Sequence, residues 1–141
     1  MRFLDRLQPL GLLVMRIVLG VIMMAHGYQK YSNGVGKTAE FFAHMGIPAW
    51  CAYLVTCTEL LGGLLLIIGL LTRVWGLGLA IDMFVAIWKV HWKNGLMAQG
   101  GYQFPIALFS LAFALIFFGA GSISLDAVLF GRSSASKAKK A

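Results

Sequence analysis

Residues 9–30 read PLGLLVMRIVLGVIMMAHGYQK. From Pro9 to Gly27 only Arg16 and His26 interrupt the apolar side chains, and a run of about 20 such residues is what a helix needs to cross a bilayer core about 30 Å thick. Three more windows share this character: Pro48 to Leu71, Val74 to Val90 and Phe104 to Gly119. Arg2 and Arg6 ahead of the first window imitate a secretory signal, but Arg16 breaks the stretch and no A-x-A cleavage site follows. The window reads as a retained first helix.

The surrounding composition agrees. Of 141 residues 60% are hydrophobic and 12% charged, with mean hydropathy +0.81. A soluble domain carries about 25% charge, so a water-facing surface cannot be built from this chain. The expected fold is an all-α membrane protein: a four-transmembrane-helix bundle over residues 1–131, then a basic tail, 132–141, too polar to bury a core and expected to be flexible. Thr72 and Arg73 alone separate the second and third windows, which predicts a tight hairpin. In the longer first connection, Thr38 to Met45 gathers Phe41, Phe42 and Met45 on one side before Gly46 and Pro48, which predicts a short interfacial helix. The Gly- and Trp-containing third connection, His91 to Gln103, is placed at headgroup level.

A net charge of +7 could suggest nucleic acid, but the basic residues form no stripe, so nucleic acid is not an expected partner. They read as topology signals. Arg2, Arg6, Arg73, Arg132, Lys137, Lys139 and Lys140 fall on the side that both termini share, against Lys30, Lys37, Lys89 and Lys93 opposite. Both termini are therefore expected in the cytoplasm. Cys51 and Cys57, six positions apart, lie about 120° apart around a helix, which excludes a local bridge and leaves them as small packing residues.

Three ionisable residues fall deep inside the spans: Arg16, Glu59 and Asp82. Each costs about 2.5 to 3.5 kcal/mol to insert, which makes each a functional candidate. Counted from the cytoplasmic ends at about 1.5 Å per residue, all three reach the middle zone, where they are expected to meet as the catalytic or proton-handling group. Arg16 can balance one acid and not both, which leaves Asp82 as the acid without a counter-charge. The bland alternative is an Arg16–Glu59 pair that only holds two helices in register. Small and polar stripes are expected to face one another: Arg16, Gly20, Met23, Gly27 and Lys30; Ala52, Thr56, Glu59 and Gly63; Gly78, Asp82, Ala86 and Lys89; Ser110, Ala114 and Gly121.

Toward the outer ends stand His26 and Lys30, one helical turn apart, and Trp88, His91 and Trp92. Aromatic, cationic and imidazole groups together could sandwich and hydrogen-bond a quinone headgroup, with His exchanging protons. An aromatic belt with snorkelling lysines is the simpler account of the two Trp residues. No ligand spacing supports a metal, and no CxxCH motif or opposed His pair supports haem.

Arg16 with Gly20; His26-Gly27 and Lys30; Gly46-Ile-Pro48; Glu59 with Gly62-Gly63; Gly69-Leu-Leu-Thr-Arg73; His91-Trp-Lys-Asn-Gly95; Gly100-Gly-Tyr-Gln-Phe-Pro105; and Gly119-Ala-Gly-Ser-Ile-Ser-Leu-Asp126 occur in this order. This ordered set resembles the DoxX family of small bacterial membrane proteins, over about residues 9 to 130. The resemblance implies a four-helix protein of the bacterial cytoplasmic (inner) membrane and a link to redox physiology, since the family takes its name from a small subunit of a thiosulfate:quinone oxidoreductase. Relatives usually carry Glu where Gln103 stands. Asp126 is expected to cap or anchor the cytoplasmic end of the fourth helix.

The leading functional expectation is a quinone-binding subunit, with His26, Lys30, Trp88, His91 and Trp92 around the headgroup and protons moving through Glu59 and Asp82. The chain carries no electron carrier of its own, so a soluble or membrane oxidoreductase partner is implied. The alternatives are a small proton or solute transporter, which would need an oligomer, and a scaffold for soluble oxidoreductases.

Overall fold

The apolar windows become helices whose ends are set by turn residues. A computed structural model describes residues 2–138, with side chains from 4 to 131, and the described chain is all helical: α1 (Arg2–Asp5), α2 (Gln8–Ser32), α3 (Val35–His44), α4 (Cys51–Ile68), α5 (Thr72–Val85), α6 (Gln103–Phe118) and α7 (Leu125–Ala138). Pro9 opens α2, where its missing N–H costs nothing. Gly69 closes α4 in the left-handed region at φ 73°, and the N–H of Leu70 returns to the carbonyl of Leu65. The hairpin turn is thus Gly69 to Leu71, and the expected linker residue Thr72 already belongs to α5. Beyond Val85 the rod continues through a wide π turn, Ala86–His91, and a 3-10 turn, Trp92–Asn94. Of the tail expected to be flexible, 132–141, the backbone is helical to Ala138; the last three residues, and every side chain from 132 onward, lie outside the described residues.

By length and composition α2, α4 and the rod Thr72–Asn94 can each cross a membrane, while α6 is apolar but has 16 residues. The outer surface suits such a setting. Val14, Val18 and Val21 on α2, Leu61 and Leu64 on α4, Leu77 and Phe84 on α5, and Phe113 and Phe117 on α6 are all exposed. The core between the helices is Leu19, Met23, Leu66, Leu79, Met83, Leu108 and Leu115.

Helix α2 packs chiefly on α4, and α5 on α6. The first pairing follows the expected stripes: Arg16, Gly20, Met23 and Gly27 on α2 and Ala52, Thr56, Glu59 and Gly63 on α4 are buried. A Cβ on Gly63 would lie 2.7 Å from the carbonyl oxygen of Gly20, so the two backbones touch there as small residues permit. The second pairing departs from expectation. Lys89 and Ser110 are exposed, and the α5–α6 contact is made by Gly76, Leu79, Met83, Leu108 and Ala112. Where lipid-facing and core-facing side chains are equally apolar, small and polar residues do not mark the inner face. Cys57 is exposed rather than packed, and Cys51 is half-buried.

Replacing Gly63 by Leu should force α2 from α4 and cost about 1–3 kcal/mol, the usual penalty for overpacking. Thermal unfolding in detergent micelles checks this, with Leu61→Ala, on the exposed side of α4, expected to shift the midpoint far less.

Candidate functional site

The α2–α4 register decides which charges meet. Gly27 lies beside Glu59 and Leu60, where an added Cβ would come within 3.0 Å of the Glu59 Cβ, and Gly20 lies beside Gly63. One turn beyond Gly27, Lys30 turns its stem inward and its Nζ donates to both carboxylate oxygens of Glu59. Glu59 is 1% exposed and Lys30 26%. Asp82, on α5, is the next acid, within interaction range of Glu59 and Lys30. Its Oδ2 is buried without a hydrogen-bond partner. The site therefore holds two carboxyl groups and one ammonium.

Arg16 is not in this cluster. It sits beside Gly69, ten residues and thus about 15 Å along α4 from Glu59. Its guanidinium donates to the carbonyl of Ala120 and, at 2.8 Å, to that of Ile123. Both acceptors lie in the turn segment between α6 and α7, where backbone carbonyls without a ladder partner need a donor, and the guanidinium supplies it. Gly69 is required for that approach, because a Cβ there would lie 2.5 Å from the Arg16 Nη1. Asp126 completes this end. Its carboxylate accepts from the N–H of Leu71 at 2.7 Å and of Thr72 at 3.0 Å, while its own N–H donates to the Gly69 carbonyl at 2.8 Å. It caps the start of α5 rather than the end of α6. Arg16, the Gly69 segment and the Gly119–Asp126 segment thus form one structural knot. Arg16 therefore does not meet Glu59 and Asp82 as expected, because the ends of the spans are not level and the α2–α4 register sets the heights of their side chains.

A cavity of about 900 Å³ opens above the cluster. His26, Lys30, Glu59, Asp82 and His91 all line it, with Thr58, Gln103 and an apolar wall that includes Phe41, Phe42, Val55, Ile81 and Leu108. The ring of His26 meets that of Phe104 edge-on, centroids 6.0 Å apart. His91 Nδ1 donates to the Gly100 carbonyl at 2.7 Å. That bond leaves Nε2 as its free nitrogen. Asn94 donates to the same carbonyl at 2.9 Å.

Trp88 and Trp92 lie elsewhere. Each is 61% exposed, and with Phe84 and Ile87 they border a separate surface hollow. Lys89 Nζ lies 4.9 Å from the ring of Trp88, and Trp92 stacks on Tyr102 at 5.4 Å. The π turn shifts the rod's phase there, and such turns frequently occur at functional sites. Hydropathy gave no sign of it. Nor did it reveal Phe41, Phe42 and Thr58 as cavity residues, although Phe41 and Phe42 carried the α3 prediction.

Comparison with known proteins agrees with this architecture. The family model DoxX matches residues 11–92. The chain belongs to the DoxX family. A relative from Bacillus subtilis, CatD, whose name assigns it provisionally as an oxidoreductase, is 33% identical over 121 residues, covering 86% of this chain and 88% of its own. An uncharacterized membrane protein of Mycobacterium tuberculosis is 30% identical over 98% of this chain and 93% of its own. The inner membrane protein YqjF of Escherichia coli is 28% identical over 89% and 97% respectively. No solved structure matches significantly. This DoxX protein is accordingly a membrane protein, in contact with a lipid bilayer.

Breaking the ion pair alone should be costly. Lys30→Met is expected to remove about 3 kcal/mol of stability, as for other buried pairs deprived of one partner. The double change Lys30→Met with Glu59→Gln should recover most of that loss in the same unfolding measurement.

Proposed function

We propose that this DoxX protein is a quinone-binding subunit of a redox system in the bacterial inner membrane, with the ring headgroup held above the Lys30–Glu59–Asp82 cluster. The supporting observation is that one largely apolar cavity collects His26, Lys30, His91, Glu59 and Asp82. Ligand sites commonly have this form, a concave apolar wall with a few convergent polar groups. Four helices cross the bilayer on this reading, both termini are cytoplasmic, and α3 lies along the outer interface as a roof over the cavity.

Reduction of a quinone to its quinol takes up two electrons and two protons. The residues here supply the proton side. His26, Lys30 and the Nε2 of His91 are positioned around the cavity to exchange hydrogen bonds with the two ring oxygens. Glu59 and Asp82 carry one carboxyl more than Lys30 can balance, and that excess provides a place for an exchangeable proton. The electrons come from an oxidoreductase partner, since the chain's own side chains offer no carrier. Trp88 and Trp92 serve on this reading as bilayer-interface anchors, and Arg16 holds the fold.

Direct binding of a benzoquinone probe to the purified chain tests the proposal. His26→Ala should weaken it about tenfold, comparable to the loss of one placed polar contact, while Trp88→Phe should leave it unchanged. Absence of binding to the unaltered protein, or indifference to His26→Ala, Glu59→Gln and His91→Ala alike, would remove the reading.

A further inference from the structure

The cavity has an edge on the apolar surface. Near the hairpin turn α4 and α5 touch: a Cβ on Gly62 would lie 3.0 Å from the ring of Trp75, and one on Gly78 would lie 3.3 Å from Thr58. Past that level both helices turn side chains into the cavity. Leu54 of α4 and Ile81 of α5 each line it, and each is 56% exposed, more than half of its surface being uncovered by protein. A pair of cavity-lining residues so little covered, one on each helix, places the rim of the cavity between α4 and α5. At the α2–α6 seam Phe104, 49% exposed and also on the cavity wall, has its ring edge-on to that of His26 at 6.0 Å, so an aromatic pair partly fills that gap.

We infer that the ligand enters sideways from the bilayer, between α4 and α5 past Leu54 and Ile81, and is a membrane-dissolved amphiphile whose apolar tail stays in that gap. This rests on the quinone reading and narrows it to quinones with a hydrocarbon tail. The cavity, at about 900 Å³, lies near the top of the range for drug-sized ligands, roughly 300–1,000 Å³, and a lone ring leaves much of it empty. Its polarity is graded in the same sense: the charged cluster is at the inner end and aliphatic side chains are at the lateral edge. A tail already dissolved in lipid loses nothing by remaining between Leu54 and Ile81, whereas a route from water would draw it past Lys30 and Gln99.

The test uses the full chain in lipid nanodiscs with two probes, a decyl-tailed benzoquinone and the same ring without its tail. Leu54→Trp with Ile81→Trp fills the gap from outside. It should weaken binding of the tailed probe about tenfold while leaving the tailless one within about twofold. Leu61→Trp, which adds the same bulk to α4 on the surface outside the cavity, should change neither. If the paired variant leaves both probes unaffected, or weakens both equally, lateral access is wrong and the quinone site stands. If neither probe binds the unaltered chain, the quinone site itself falls and this inference with it.

Discussion

A carboxyl group held away from water among apolar helices needs a partner, and Glu59 dictates much of the arrangement around it. Removal of a charge from water costs several kcal/mol unless it is paired and hydrogen-bonded. Glu59 obtains that from Lys30, which belongs to a different helix and to its end rather than its middle. The lysine reaches inward only because Gly27, one turn earlier, lets α2 lie against the backbone of α4. One ion pair therefore links the helix register, the small-residue seam and the floor of the cavity.

The two ends of the bundle divide the work. At one end, Arg16 and Asp126 satisfy backbone groups that the turns leave open: Arg16 takes the carbonyls of Ala120 and Ile123, and Asp126 takes the N–H groups of Leu71 and Thr72. Leu71 is held there at φ 51°, a conformation that costs a non-glycine residue about 1 kcal/mol. At the other end the same helices part, α5 passes into a π turn, and α3 contributes Phe41 and Phe42 to the wall of an open cavity. The turn backbone groups satisfied at the closed end hold the helices there, and the open end keeps its space.

This division gives the buried charges different meanings. Arg16 donates from both terminal guanidinium nitrogens to backbone carbonyls, with only its Nε left without a partner, and is best understood as architecture. The Lys30–Glu59–Asp82 group borders a space of ligand size and carries an unequal number of acids and bases, which is the arrangement expected where protons or polar ligand groups are exchanged.

Apolar windows of membrane-spanning length, the glycines and prolines that end them, and the small stripes of α2 and α4 were all legible in the residues, because hydropathy and helical spacing are local properties. His26, Lys30, His91, Glu59 and Asp82 were legible as candidates too, since polar groups in apolar runs stand out. Their assembly was not. Whether Glu59 meets Arg16 or Lys30 depends on how far one antiparallel helix slides along another, a quantity fixed by where Gly20 and Gly27 seat against Gly63 and Glu59. The inner faces of α5 and α6 were hidden because lipid and protein core accept the same side chains, and the outward turn of Trp88 and Trp92 followed from a π turn that no periodicity announces. Sequence determined which chemistry the bundle contains; packing geometry decided which pieces of it touch.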